Sequence, residues 1–319
     1  MLGIDVSKDT LACTLLDPQT QKPIWNRTVP NTTAGINRLL RQTPAQSHWA
    51  LEPTGRYGIL AATTARQAGR QVLLAQPKKA RDFLRSIQSR AKTDALDSYG
   101  IGLFALCRPL PLYPLKSQAV EQLDQLLSVR KSISASLASF GLQARELPHA
   151  APALEPVVAA LQALKKELDR QIAQLTASQQ EFSIAAELEK VPGFGKVTAA
   201  TLASRLAGRT FGHSDQFVAY CGLDVGVRQS GKKNGQTGLT KQGDGELRRL
   251  LYLAAQSNLR SKNSPFKAQY EKERGKGLST TAALCAVARK LARLAWSLHK
   301  HRTPYDPNRV HQQNNKPTP

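Results

Sequence analysis

Short apolar runs alternate with amphipathic stretches along the first 115 residues. Runs rich in Val, Ile, Leu and Thr predict strands, and stretches with apolar residues three or four positions apart predict helices. The predicted strands occupy 1–6, 12–17, 23–31, 47–52 and 70–77, with a glycine-rich turn over 53–58, and the predicted helices occupy 33–42 and 59–69. Strands joined by crossover helices indicate an α/β sheet.

A seven-residue repeat of apolar positions dominates the middle of the chain. A helix over roughly 117–146 precedes it, and Pro148, Pro152 and Pro156 separate the two. The pattern predicts about four heptads of coiled coil. A hairpin folded on its own chain and a coiled coil between two chains would show the same pattern, so both interpretations stay open. The repeat consists of Leu154, Leu161, Leu168, Leu175 and Phe182, with Val157 and Leu164 at a second seam position that then drifts to Ile172.

The last block opens with a segment typical of a helix-hairpin-helix, "ELEKVPGFGKVTAATLASRLA" at 187–207. Gly193 and Gly195 permit a tight turn, and the N–H groups that begin the second helix, near Lys196, could hold a phosphate. A plain turn between two helices is the alternative. Two further helices are expected at about 244–260 and 279–300, the second with Ser279 as its N-cap.

These patterns predict four parts of the chain. They are an α/β domain over 1–115, a helical coiled-coil spacer over 116–186, a mainly α domain over 187–303 and a frayed tail over 304–319.

The net charge of +22, with a pI near 10.2, changes the picture from an ordinary globular protein to one that binds a polyanion. Residues 1–115 carry +8, residues 116–190 carry −1 and residues 191–319 carry +15. Two basic blocks on either side of a neutral middle suggest two nucleic-acid-binding parts joined by a spacer.

The cysteines, the histidines and the hydropathy of the chain argue against a zinc-binding, membrane or secreted protein. The four cysteines are scattered without a CxxC pair, and the six histidines form no ligand-spaced cluster, so a structural zinc site is not expected. No apolar run reaches the roughly 18 residues of a membrane span, and the N-terminus lacks a signal-peptide pattern. We expect a cytoplasmic protein without membrane association.

Four acids are the candidate chemistry of the first block. Asp5 and Glu52 each end a predicted strand, and Asp94 and Asp97 lie one helical turn apart in "AKTDALDSYG". Each alone suits a cap or a surface charge. Together they offer the hard oxygen ligands that Mg²⁺ or Mn²⁺ takes, and a cation would relieve the repulsion between Asp94 and Asp97.

The chain resembles the DEDD transposases of the insertion-sequence-110 family over nearly its whole length and in the family's order. This resemblance implies an N-terminal RuvC-like domain with the RNase H fold, and it maps the family's acidic set onto Asp5, Glu52, Asp94 and Asp97. The segments that carry it are "GIDVSK" (3–8), "LEPTGRYG" (51–58), "KTDALDS" (92–98), "VPGFGKVTAATLAS" (191–204), "FVAYCGLDVGVRQSGKK" (217–233), "GELRRLLYLAA" (245–255) and "RKLARLAWSLHKHRTPYD" (289–306).

A polar, glycine-rich segment at 227–249 contains one serine, Ser230. The residues alone favour a basic loop that grips phosphates, with Ser230 as a hydrogen-bond donor. The resemblance instead implies that Ser230 attacks DNA and forms a phosphoserine link, as in a serine recombinase. The cations expected to bind nucleic acid are Lys92, Lys196, Lys232, Lys233, Lys241, Arg248 and Arg249.

The resemblance also implies partners. A structured guide (bridge) RNA would pair with donor and target DNA, and the protein would act as a homo-oligomer, either a dimer or a tetramer. The alternative function is a RuvC-like nuclease or junction resolvase that uses water as its nucleophile. A nucleic-acid-binding protein with a decayed site is a third reading, and the four retained acids argue against it.

Overall fold

The computed structural model of the chain describes residues 1–52, 57–87, 93–226, 229–230, 233–234, 238–260 and 264–308. The chain divides into two compact units, Met1–Leu115 and Lys116–Pro319.

A five-stranded mixed sheet forms the centre of the first unit, in the order β3-β2-β1-β4-β5. The first three strands are antiparallel neighbours, and β1, β4 and β5 run parallel to one another. Parallel neighbours need crossover connections, and helices supply them here. The strands are β1 (Leu2–Val6), β2 (Thr10–Leu16), β3 (Pro23–Pro30), β4 (Trp49–Leu51) and β5 (Val72–Leu74).

Helices cover both faces of this sheet. Trp49 and Leu51 point to one face and Ala50 to the other, as the alternation along a strand requires. The first face packs on α1 and α2, and the second packs on α3 and α4. The helices are α1 (Thr33–Gln42), α2 (Tyr57–Gln67), α3 (Pro77–Ile87) and α4 (Asp94–Cys107).

The predicted α/β unit is confirmed, and three details of it are corrected. The strand expected to end at Glu52 comprises only Trp49–Leu51, and α2 begins at Tyr57 rather than at residue 59. Helix α3 was not predicted, because its cationic residues hide the apolar positions that Ala80, Phe83 and Leu84 supply.

Two long helices open the second unit, and they pack together as a hairpin. These are α5 (Gln118–Glu146) and α6 (Ala151–Ser178). Leu168 and Ile172 of the heptad segment are buried, whereas Val157 and Leu164 are each 46% exposed. Leu168 of the first seam and Ile172 at the end of the second therefore lie in the core, whereas the earlier positions of the second seam, Val157 and Leu164, face outward. Pro156 lies inside α6 rather than before it.

The rest of the second unit is mainly helical, as expected, with a 3₁₀ turn over Gln180–Phe182. Val120, Leu123, Leu127 and Ile172 share one core with the C-terminal helices, so residues 116–186 and 187–303 belong to the same compact unit. The helices are α7 (Ile184–Glu189), α8 (Lys196–Ala207), α9 (Ser214–Tyr220), α10 (Gly245–Arg260), α11 (Lys267–Gly275) and α12 (Thr280–His301).

The end of the second unit matches its sequence signals closely. Ser279 caps α12 as expected, accepting a hydrogen bond from the N–H of Ala282 at 3.3 Å. Within the described residues, no helix is both long and apolar enough to span a membrane.

Candidate active site and nucleic-acid-binding residues

Strand pairing brings Asp5 and Glu52 to one edge of the sheet. Strands β1 and β4 are parallel, with Ile4 opposite Leu51. Asp5 is the next residue of β1, and Glu52 directly follows β4. The carboxyl ends of parallel neighbours meet at the same edge, so these two acids are neighbours there.

Close packing against β1 fixes the start of α4 at the same edge. A Cβ on Gly3 would lie 2.0 Å from the carbonyl oxygen of Ser98 and 2.5 Å from the nitrogen of Gly102, so only glycine allows this approach. The hydroxyls of Thr14 and Ser98 are 2.7 Å apart. Because Gly3 and Asp5 project from the same face of β1, Asp5 points toward the layer that contains α4.

The first turn of α4 carries the other two acids. Thr93 caps the helix by accepting a hydrogen bond from the N–H of Leu96 at 3.3 Å. Asp94 is exposed and Asp97 is half-buried. The positive end of the helix dipole offsets part of the repulsion between them.

The pKa of the Glu52 carboxyl is shifted by burial and by neighbouring charges. Burial raises its pKa above the ordinary value, and the nearby charges of Asp5 and Asp97 raise it further. Arg81 of α3 acts in the opposite direction. Three of the four predicted acids thus influence one another, and Arg81 is a neighbour that sequence reasoning missed. Its signal was the cationic stretch "KKARDFLR" at 78–85.

The donor chemistry of this edge fits a hard divalent cation, because all the converging groups are carboxylates. Among the described residues, no three His, Cys, Asp or Glu side chains are gathered closely enough to hold one ion. Residues 53–56, which follow Glu52, and residues 88–92, which precede α4 and include Lys92, lie outside the described part of the chain.

The segment with the predicted nucleophile forms paired two-residue strands in the second unit. Strand β6 (Val225–Gly226) pairs antiparallel with β9 (Gly238–Leu239). Between them, β7 (Gln229–Ser230) pairs with β8 (Lys233–Asn234), which sets Ser230 opposite Lys233. Only the backbone of Ser230 and Lys233 is described, and Lys232 lies outside the described residues.

Hydrogen bonds anchor the base of this segment. The hydroxyl of Thr240 donates to a carboxylate oxygen of Asp224. Nη1 of Arg248 donates to the carbonyl oxygens of Lys241, at 3.2 Å, and Cys221, at 3.4 Å. Lys241 itself is exposed and has a left-handed backbone, with φ of 55°. Arg248 therefore has a structural role, whereas Lys241 presents its charge to solvent.

A network of charges ties the same base to the hairpin. The Arg205 guanidinium contacts Asp124 of α5, and its Nε lies 2.8 Å from an oxygen of Asp244, which caps α10. Burial alone would raise the pKa of Asp124, but Arg205, Lys116 and Ser204 together hold it below its ordinary value.

The start of α10 adds an exposed part to this network. Glu246 accepts from the exposed Arg249 and pairs with Lys131 of α5 at 2.9 Å. Unlike Arg248, Arg249 lies on the surface.

The glycines of the predicted helix-hairpin-helix have different roles. Gly193 has φ of 86°, and a Cβ there would lie 2.4 Å from Nδ2 of Asn258. That Nδ2 also donates to the carbonyl of Pro192 at 2.7 Å. Gly195 and Lys196 are exposed at the start of α8. Gly193 thus serves packing, and only the other two face solvent.

Comparison with known protein families covers both units. Residues 2–147 match the profile of the DEDD transposases of IS110 elements, and residues 185–271 match the profile described as the IS116/IS110/IS902 transposase family. The chain belongs to the IS110 family of transposases. Membership of this DEDD family implies an RNase H-like fold for the first unit and a dependence on a divalent metal.

Relatives of this transposase family span different shares of the chain. A pilin gene-inverting protein of Moraxella lacunata is 24% identical over 321 residues, 98% of both chains. The transposase for insertion sequence element IS1328 of Yersinia enterocolitica is 34% identical over 115 residues, 35% of this chain and 34% of that protein. An uncharacterized 44.8 kDa protein of insertion element IS116 from Streptomyces clavuligerus is 28% identical over 144 residues, 44% of this chain and 35% of that protein.

Proposed function

We propose that this transposase cuts and rejoins DNA through a covalent phosphoserine intermediate at Ser230, assisted by metal-binding acids and directed by a structured RNA. The observation that carries the proposal is that Asp5 and Glu52 lie at one edge of the sheet, where the charge of Asp97 also acts on Glu52. The family assignment of both units supports it.

Asp5, Glu52, Asp94 and Asp97 would hold Mg²⁺ or Mn²⁺. Bound there, the ion would supply Lewis-acid polarisation of the scissile phosphate and charge stabilisation at the attacking and leaving oxygens. The raised pKa of Glu52 fits this role, because an adjacent cation would offset both its burial and the charges of its neighbours.

Ser230 would act as the nucleophile. Its Oγ loses a proton and bonds to phosphorus, the bond from phosphorus to the 3′ oxygen breaks, and that oxygen leaves with a proton. The product is a 5′-phosphoserine, and attack by a 3′ hydroxyl of the partner strand reverses the step. The bond energy is conserved, so no nucleotide cofactor is needed. Lys232, Lys233 and Lys241 would stabilise the charge that develops on the phosphate.

A guide RNA would supply sequence recognition, with the protein holding backbones through its two basic blocks. The charges of +8 and +15 on the two blocks give each a polyanion-binding surface. Gly195, Lys196 and Arg249, all exposed, are candidate contacts. Such a protein would work in the cytoplasm, on nucleoid DNA.

Strand exchange must hold two duplexes together, so we propose that the transposase is a dimer or tetramer. The outward seam of α6, with Val157 and Leu164 each 46% exposed, is the candidate interface. Val157→Glu with Leu164→Glu should lower the mass measured by light scattering. An unchanged mass would show that Val157 and Leu164 do not form the oligomer interface.

The experiment is strand exchange between two plasmids, one with the donor sequence and one with the target. Asp5→Asn, Glu52→Gln, Asp94→Asn and Asp97→Asn should each lower exchange at least about a hundredfold. Unfolding stability should hold or rise, because removing one acid from a cluster relieves repulsion. Asp82→Asn, which changes an exposed acid of α3, is the control.

Near-parental exchange in all four variants would overturn the metal-site assignment. RNA that co-purifies with the parental protein is sequenced in the same preparation. A defined element-derived RNA supports guidance, and random cellular RNA contradicts it.

A further inference from the structure

A basic cavity lies in the second unit, where α8 and α12 both end. Its volume is about 370 Å³, within the range of small-ligand sites. Phe211 and Trp296 form an aromatic wall, and the indole Nε1 donates to the carbonyl of Phe211 at 3.3 Å. The hydrogen bond fixes the indole, so the wall is a defined surface rather than a loose side chain.

Three cations border this cavity: Arg209, Lys300 and Arg302. In the described part of the chain, no carboxylate forms an ion pair with any of them. Glu181 also lines the cavity, but its carboxylate accepts two hydrogen bonds from the Ser117 hydroxyl, at 2.7 and 2.9 Å. The cavity therefore has a surplus of positive charge.

Two of these cations are already oriented. The Arg209 guanidinium lies over the Tyr220 ring, 5.0 Å from its centroid. Arg302 donates from Nη1 to the Ser183 hydroxyl at 3.3 Å. Neither contact neutralises the charge, so both side chains are held in place and remain able to meet an anion.

Backbone conformation gives a second indication at Arg302. This residue ends α12 with φ of 51°, a left-handed conformation that glycine or asparagine adopts more easily. An arginine here has a conformational cost, which a functional side chain would explain.

His299 lines the same cavity. Nδ1 of His299 is inaccessible to solvent and has no hydrogen-bond partner. Burial lowers the pKa of this imidazole, and the charges of Arg302 and Lys300 lower it further. Because the lowered pKa keeps this ring uncharged at neutral pH, the positive charge of the cavity comes from Arg209, Lys300 and Arg302.

From these contacts we infer that this cavity binds one nucleotide of a single-stranded segment of nucleic acid. Arg209, Lys300 and Arg302 would hold the phosphodiester, and the base would lie against the Trp296 wall. The choice of nucleic acid as the ligand rests on the proposed function. The competing explanation is that cations at the end of α12 only stabilise the helix dipole.

The test uses the full-length protein freed of co-purified nucleic acid at high salt. The probes are a fluorescein-labelled 12-nucleotide single-stranded RNA and a DNA of the same sequence. The variant is Lys300→Gln with Arg302→Asn, since asparagine tolerates the left-handed backbone. Arg293→Gln with Lys276→Gln is the matched control, because it removes the same charge from cations already paired with Asp215 and Glu273.

We expect the cavity variant to bind at least one probe tenfold more weakly, and the control to bind within twofold of the parent. The salt dependence of log affinity should become shallower by about 0.7, the value for one lost phosphate contact on a single strand. Trp296→Leu should weaken the probe fivefold or more, and should not affect a 12-mer of abasic sites. The probe with the larger loss identifies the strand as RNA or DNA.

Equal affinity of the cavity variant and the control would overturn the inference. Inorganic phosphate that protects the parent from thermal unfolding, but does not compete with either probe, would also overturn the inference. The cavity would then hold a free anion only. A variant that loses stability but not affinity would support the helix-dipole explanation. None of these results affects the covalent step, which the adduct assay on Ser230 measures separately.

Discussion

The two candidate sites of this transposase are positioned in different ways. In the first unit, acids extend from strand ends and from a helix that packs on β1 through Gly3 and Gly102. In the second unit, Ser230 belongs to two-residue strands, and ionic contacts among Asp124, Arg205 and Asp244 anchor their base. Backbone packing sets the acid site, whereas side-chain charges set the serine segment. Substitutions should therefore affect the two units differently.

The largest effect is expected where α4 meets β1. Gly3→Val would place side-chain carbon within 2.0 Å of the backbone oxygen of Ser98, which cannot move aside cheaply. We expect the first unit to lose more than about 4 kcal/mol of unfolding free energy. Urea unfolding followed by tryptophan fluorescence measures this, since Trp49 is fully buried in that unit.

Gly141→Ala is the control for this change. Nothing lies within 4 Å of a Cβ at Gly141, which is inside α5. Alanine should stabilise that helix by about 0.5–1 kcal/mol. Parental stability of Gly3→Val would show that close packing does not hold the acid site.

The next effect concerns the ionic anchor of the second unit. Arg205→Met leaves Asp124 and Asp244, with side chains 18% and 15% exposed, without their shared cation. Lys116 still pairs with Asp124 at 2.5 Å, so the cost should lie near the lower end of the about 3–5 kcal/mol of an unpaired buried charge. Urea unfolding followed by circular dichroism measures this loss. Arg293→Met, which breaks the exposed pair with Asp215, should cost less than about 1 kcal/mol. Equal losses of unfolding free energy in the two variants would contradict the claim that the Arg205 network anchors the second unit.

The smallest effect separates two adjacent arginines. Arg248→Ala loses two hydrogen bonds to carbonyls and should cost about 1 kcal/mol of stability. Arg249→Ala breaks only a surface pair with Glu246 and should cost about 0.5 kcal/mol or less. DNA binding should show the reverse order, with Arg249→Ala lowering the salt slope by about 1. Fluorescence anisotropy at several salt concentrations measures the slope, and a larger change for Arg248→Ala would contradict the assignment.

Residues fixed by a regular pattern could be predicted from sequence. Asp5 and Glu52 follow apolar runs, and the parallel order of β1 and β4 brings them together. Helix α1 begins and ends where its amphipathic pattern does, at Thr33 and Gln42. The place of each residue on its own element is a local signal, whereas the pairing of β1 with β4 is a tertiary contact that the structure supplies.

Features that depend on tertiary contacts could not be predicted. Arg81 reaches Glu52 because β4 and β5 end at the same edge, which no local pattern reveals. Arg248 and Arg249 look equivalent in sequence, and only the fold directs one to carbonyl groups and the other to solvent. Likewise the heptad pattern could not show that Val157 and Leu164 stay outside the hairpin seam.

The most direct test of the central claim is the fate of the cut strand. DNA labelled at the 3′ end of the strand to be cut, on the fragment whose 5′ phosphate would join Ser230, is incubated with the RNA-loaded protein and run on a denaturing gel. The parent and Ser257→Ala, an exposed serine of α10, should both shift label to a protein–DNA band, and Ser230→Ala should cleave nothing. Cleavage by Ser230→Ala at the parental rate, releasing free ends, would contradict the account and favour a water-using resolvase. A protein–DNA band that persists in Ser230→Ala would contradict it by showing another nucleophile.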